Sequence, residues 1–208
     1  MRQEVLKEAA FDEVVDSQRS FKTLMDAMSR PGQLYRLQEH HFSKAPENFN
    51  PNILTVLKTL GDNNITFSSC NLKDETVQRY IEVNTGVIPA EVNEADYILF
   101  DGGKFDGNIC SAKAGSLEFP ENSATVIFAV KRILCGQYKG NDMDRIELHM
   151  KGPGIKDVNI VTIIGLDKKF VQGTIEMNSV YPLGIDLIFV DEEGSIICMP
   201  RTAKAEVK

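Results

Sequence analysis

The stretch GIDLIFVDEEGSIICMPR, Gly184 to Arg201, constrains this chain more than any other. Two apolar, β-branched runs flank Asp191-Glu192-Glu193-Gly194, the pattern of a β-hairpin with a short polar turn. Asp186 stands inside the first run, and an ionised carboxylate there needs a partner, because burying a lone charge costs several kcal/mol. A symmetric turn sets Val190 opposite Ser195 and Asp186 opposite Met199. Arg201 then becomes the diagonal neighbour of Asp186 on the same sheet face. A guanidinium matches a carboxylate fork for fork, so Arg201 is the expected partner. A glycine bulge at Gly194 would shift this register by one.

Two meanings of the pair stay open. It holds the hairpin register as a structural ion pair, or Asp186 orients Arg201 to present its outer edge to a phosphate or phosphonate.

The rest of the chain interleaves helices and strands. In SFKTLMDAMSRPG, Phe21, Leu24, Met25 and Met28 recur at helical spacing, with Asp16 or Ser17 as N-cap and Pro31-Gly32 as the stop. Short helices are expected over Ile53–Leu60 and Asp74–Val83, and a weaker one in Asp167–Val180 with Phe170, Ile175 and Met177 inward. ADYILFD, SATVIFAVKRI and VNIVTIIGL read as buried strands, and RIELHMK as a half-buried one with Ile146, Leu148 and Met150 inward. Several strands lie too close together for βαβ crossovers, so a mixed sheet with helices on its faces is expected. No repeat or linker divides the chain, and residues 1–208 are expected to form a single domain.

Other residues carry weaker signals. Arg30 could bind an anion or simply offset the helix dipole. Lys151, at the head of KGPGI, could belong to a backbone nest for phosphate or to a plain turn that lacks Walker spacing. His40, His41 and His149 have no ligand-like spacing, nor do Cys70, Cys110, Cys135 and Cys198, so no metal site is expected. With 42% hydrophobic residues the chain can build a core, and a net charge of −7 argues against nucleic-acid binding. No membrane span and no secretory signal are read, so a cytoplasmic protein with reduced thiols is expected. No self-sufficient catalytic constellation is present, so whether the chain is itself an enzyme stays open.

SFKTLMDAMSRPG, LKTLGDNN and YPLGIDLIFV…MPRTAKAEV, taken in that order, resemble the PhnH family, a subunit of the bacterial carbon–phosphorus lyase system. The tail block is the most specific part. Where the family leads one to expect Thr-His after Arg-Thr, this chain has Ala203-Lys204. The resemblance implies a three-layer α/β/α fold with a mixed central sheet, similar to the large domain of PLP-dependent transferases but without PLP or any other cofactor. It implies a homodimer in isolation and association with other carbon–phosphorus lyase core subunits. It also implies a role in a synthase joining an alkylphosphonate to the ribose C1′ of ATP with release of adenine. A purely assembling subunit and one that supplies Arg30, Arg201 and Lys151 to a phosphonate or triphosphate are the two readings. A free-standing PLP enzyme is a more distant third.

Overall fold

The computed structural model describes residues 7–47, 49–70, 74–101, 108–140, 142 and 144–208. Eleven strands fall into two sheets, joined by four α-helices among the described residues. The parallel core of the larger sheet consists of β2 (Thr66–Ser69), β3 (Ile88–Pro89), β4 (Tyr97–Asp101), β5 (Thr125–Val130) and β9 (Asp186–Asp191). β10 (Ser195–Met199) and β1 (Tyr35–Arg36) extend it antiparallel, in the spatial order β1-β10-β9-β5-β4-β2-β3. This is the mixed sheet expected from strands spaced both with and without helical crossovers.

The central strands read as continuous apolar runs because both their faces are covered. One face carries Leu99, Ile127, Ile188, Val190 and Ile196 against α1 (Val15–Ser29), α2 (Pro51–Leu60) and α3 (Glu75–Thr85). The other carries Ile98, Phe100, Val126, Phe128, Leu187 and Phe189. It packs on a four-stranded antiparallel sheet, β11-β7-β8-β6, and on α4 (Lys168–Met177). The second sheet comprises β6 (Arg132–Cys135), β7 (Arg145–Lys151), β8 (Asn159–Ile164) and β11 (Lys204–Val207). Phe100, Phe128 and Phe189 form a ladder with centroids 5.4 and 5.2 Å apart, and Phe170 of α4 closes on Phe100 at 4.7 Å. Such ring pairs add to the burial of their area.

The expectation of helices on both faces therefore meets a different second layer. Ile146, Leu148 and Met150 alternate inward, as read, but their strand belongs to a second sheet rather than to the first. SATVIFAVKRI is not one strand. β5 ends at Val130, the Lys131 N–H donates to the Ile164 carbonyl, and β6 starts afresh in the other sheet.

Helix α1 forms where periodicity placed it, with Leu24 and Met28 of the expected stripe on the core but the buried face rotated away from Phe21 and Met25. Leu24 and Ala27 are buried with Ser20 and Asp16, while Phe21 and Met25 are more than half exposed. Asp12 rather than Asp16 or Ser17 starts the helix, its Oδ1 accepting from the Val14 and Val15 N–H groups at 2.9 and 2.8 Å. Asp16 instead faces inward and accepts from the Asp12 N–H and from Gln38. The small Ser20 and Ala27 share the buried face of α1 with Leu24 where it packs on α2 and β10, and Phe21 and Met25 are left outside.

Candidate functional site

The hairpin puts Asp186 and Arg201 together, by a register one residue away from the expected one. Val190 pairs with Ile196 and Leu187 with Met199, so Asp186 stands level with Pro200. The cause is local. Glu192, Glu193 and Gly194 form a three-residue loop, the Gly194 N–H donates to the Asp191 carbonyl at 3.1 Å, and Gly194 takes φ 79°. A residue in the left-handed region after a tight turn is the glycine bulge that lengthens one arm of a hairpin.

β10 ends at Met199 and the chain turns at once, which brings the Arg201 backbone onto Asp186. The Arg201 N–H donates to Asp186 Oδ1 at 2.8 Å, Nη2 to Oδ2 at 2.9 Å and Nε to Oδ1 at 3.4 Å. Nη1 donates to the carbonyl of Pro120, 81 residues away in sequence. The two side chains are only 16% and 22% exposed, so this fork is largely shielded from water. Arg201 thus ties together the start of β9, the C-terminal turn and the loop before β5.

The clamp lies at the amino end of the parallel strands, because Asp186 pairs with Thr125 and Thr125 with Tyr97, the first residues of β9, β5 and β4. Open α/β sheets bind ligands beyond the carboxyl ends of their strands. Position and donor geometry both favour the structural meaning of the pair.

The other predicted anion ligands are near this corner but also engaged or turned outward. Arg30 follows α1, half exposed, and its Nη1 donates to Asp26 Oδ1 at 3.0 Å and to the Tyr35 hydroxyl at 3.1 Å. The Tyr35 hydroxyl, then the Asp26 carboxylate, raise the pKa of the Arg30 guanidinium. Lys151 ends β7, exposed, opposite the exposed Lys204 of β11. The KGPG turn wedges between the end of α1 and the tail. A Cβ on Gly154 (φ 79°) would stand 2.1 Å from the Ser29 carbonyl oxygen, and one on Gly152 would stand 3.1 Å from Ala203 Cα. MSRPG, KGPGI and PRTA therefore do converge, through backbone packing.

Three constellations escaped sequence reasoning. Asp191, read as a turn residue, is 1% exposed and accepts from Ser195 N–H at 2.7 Å, Glu193 N–H at 3.0 Å and Ile133 N–H at 3.1 Å. Its signal was the Asp-x-x-Gly turn, but its reach to β6 is tertiary. Buried Glu8 accepts from Tyr80 Oη at 2.9 Å and Lys44 N–H at 2.7 Å, while its own N–H donates to Asn84. Burial and then Glu8 push the Tyr80 phenol well above its ordinary value. Asp96 Oδ2 accepts from the Thr66 N–H and hydroxyl at 2.8 and 2.7 Å, and Lys113 caps Oδ1.

A recess of about 580 Å³ lies beside the carboxyl ends of β2 and β3, with Ser68, Ser69 and Gln78 in its wall. Glu91 and Glu94 also line it, which disfavours a phosphonate or triphosphate there. His40 lies between the Phe11 and Phe42 rings, and His149 pairs with Glu147. Among the described residues no three His, Cys, Asp or Glu side chains gather as a metal site, and no helix is long and apolar enough to cross a membrane.

These features define a mixed α/β protein whose C-terminal hairpin is locked to a distant loop by a shielded Asp–Arg fork. The chain belongs to the PhnH family: the family described as "Bacterial phosphonate metabolism protein (PhnH)" matches residues 9–206. It is similar to the "Putative C-P lyase subunit protein HtxG" of Stutzerimonas stutzeri, 31% identical over 193 residues, covering 92% of this chain and 86% of that protein. It is also similar to the "Alpha-D-ribose 1-methylphosphonate 5-triphosphate synthase subunit PhnH" of Rhizobium meliloti (strain 1021). That match is 28% identical over 197 residues, 94% of this chain and 92% of the other.

Proposed function

We propose that this chain is a subunit of the carbon–phosphorus lyase core, acting in a ribose 1-phosphonate 5-triphosphate synthase that displaces adenine from ATP with a phosphonate. Two relatives, matched along nearly their whole lengths, carry subunit names of that kind. Within the transferase its role is assembly. The observation that carries this is the Arg201 fork, whose donors are directed at Asp186 and the Pro120 carbonyl rather than at an open cleft.

The chain works as one folded unit, and as a homodimer when isolated. Its kinship with the large domain of PLP-dependent transferases, without PLP, is supported by the parallel strands under α1–α3. The cytoplasm suits the thiols of exposed Cys110 and Cys135. In a synthase reconstituted with Arg201→Ala, the expected result is loss of the subunit from the complex and activity lost in proportion. A fully assembled, inactive complex would refute the assembling role.

One observation favours a second reading, in which the subunit grips ATP or an alkylphosphonate. Arg30, Lys151 and Lys204 are all exposed, and their segments meet around the KGPG turn. Calorimetry of the assembled complex decides it. Triphosphate binding that weakens with salt and is lost in Arg30→Ala or Lys151→Ala supports this reading, and unchanged binding removes it.

A further inference from the structure

The Arg201 clamp holds more than a hairpin. On one side it fixes the loop between Lys113 and Ala124, closed at its base by an Ala114–Ser123 bridge and an Ala124 N–H to Lys113 carbonyl bond of 2.8 Å. Its tip is held by the Ser116 N–H to Phe119 carbonyl bond and the Phe119 N–H to Ser116 Oγ bond. On the other side is the loop that precedes β9. Asn178 accepts from and donates to Ile185 at 2.7 and 3.0 Å, and the Leu183 N–H closes on the Val180 carbonyl. The loops join where the Gly184 N–H donates to the Ala114 carbonyl at 2.9 Å.

Both loops turn apolar side chains into water. Leu117 is 75% exposed, Phe119 52%, Val180 63% and Tyr181 69%. Rigid backbones carrying exposed aromatic and aliphatic tips have little ordering entropy left to lose on binding, which suits interface anchors. The exposed carboxylates Glu118 and Glu121 flank Phe119, whereas Lys113 is committed to Asp96. The rim is therefore acidic. A second copy would set the same acids against each other, in a chain that already carries −7.

We infer that Leu117, Phe119, Val180 and Tyr181, on two loops pinned through Arg201, dock a sister subunit through an apolar recess rimmed by Lys and Arg side chains. This rests on the subunit reading and names the surface it uses. It also gives the Asp186–Arg201 pair a purpose at the amino end of the sheet, away from the usual ligand crevice.

The test is interferometry of the purified chain against the other synthase subunits of the same organism, with thermal unfolding of each variant alongside. Phe119→Ala combined with Tyr181→Ala is expected to keep the wild-type Tm and weaken association at least about 30-fold. Glu118→Lys with Glu121→Lys is expected to weaken it about tenfold and to flatten its salt dependence. Phe21→Asp, on the exposed face of α1, is expected to leave it unchanged. Wild-type affinity in the first variant overturns the surface, and so does loss of binding in Phe21→Asp alone. A changed oligomeric state of the isolated Phe119→Ala, Tyr181→Ala chain overturns the choice of partner. Failure of the unmodified chain to associate at all overturns the subunit reading itself.

Discussion

Replacing Arg201 by alanine removes three side-chain donors and leaves Asp186 with one backbone N–H, that of residue 201. Hydrogen bonds to charged groups contribute about 1.5–3 kcal/mol each. The Nη2–Oδ2 contact at 2.9 Å counts fully, the Nε–Oδ1 contact at 3.4 Å much less, and the Pro120 carbonyl also loses its donor. A fully buried pair broken on one side costs about 3–5 kcal/mol. Here the side chains retain 16% and 22% exposure, so water reaches the orphaned carboxylate and softens the loss. The expected destabilisation is about 2–3 kcal/mol, a Tm lower by about 5–10 °C in a chain of this size. Urea unfolding of wild type, Asp186→Asn, Arg201→Ala and the double variant gives the coupling between the two groups, expected near 1–2 kcal/mol. Arg201→Lys should recover less than half the loss, because an ammonium cannot span Asp186 and Pro120 together. A cost below about 0.5 kcal/mol for Arg201→Ala, or additive single variants, would refute the clamp.

Asp191→Ala should cost more, about 3–5 kcal/mol, since it strips three backbone donors of their acceptor in a fully buried place; a urea midpoint close to wild type would disprove that. In α1, Leu24→Ala is expected to cost about 2–4 kcal/mol and Met25→Ala under about 0.5, the reverse of what an inward Met25 would give. Gly154→Ala should destabilise by about 1–3 kcal/mol, as its Cβ meets the Ser29 carbonyl, and thermal melts check it. Burial pushes the Asp96 carboxyl up, but Lys113 and the two Thr66 donors outweigh it and hold its pKa below the ordinary 3.8. A lowered folded-state pKa means stabilisation that is present above pH 3.8 and fades as acid titrates the folded carboxylate. Asp96→Asn should therefore be less stable than wild type at pH 7 yet lose less between pH 4 and pH 2, measured by urea midpoints across that range. Parallel profiles would remove the claim.

Much of this architecture was legible in the chain. The helices near Ile53, Asp74 and Asp167, the buried strands, the hairpin and the choice of Arg201 for Asp186 follow from period, caps and the cost of an unpaired charge. β1 and β3 escaped because each has two residues, too few to show a period, and β11 because its KAEV lies in a polar tail. The α1 stripe held at Leu24 and Met28 but was misread at Phe21 and Met25, because hydrophobicity was taken to mean burial. Close helix packing instead selected Ser20 and Ala27, and left Phe21 and Met25 to solvent.

By itself, then, the sequence determined the mixed α/β character, the terminal hairpin and the need for a cation beside Asp186, all of which arise from neighbours within a few residues. Only the tertiary structure decided that Nη1 of Arg201 reaches Pro120 and that Asp191 holds β6. Those contacts join positions 58 and 81 residues apart, where sequence spacing carries no distance information and the packing of whole elements sets which groups meet.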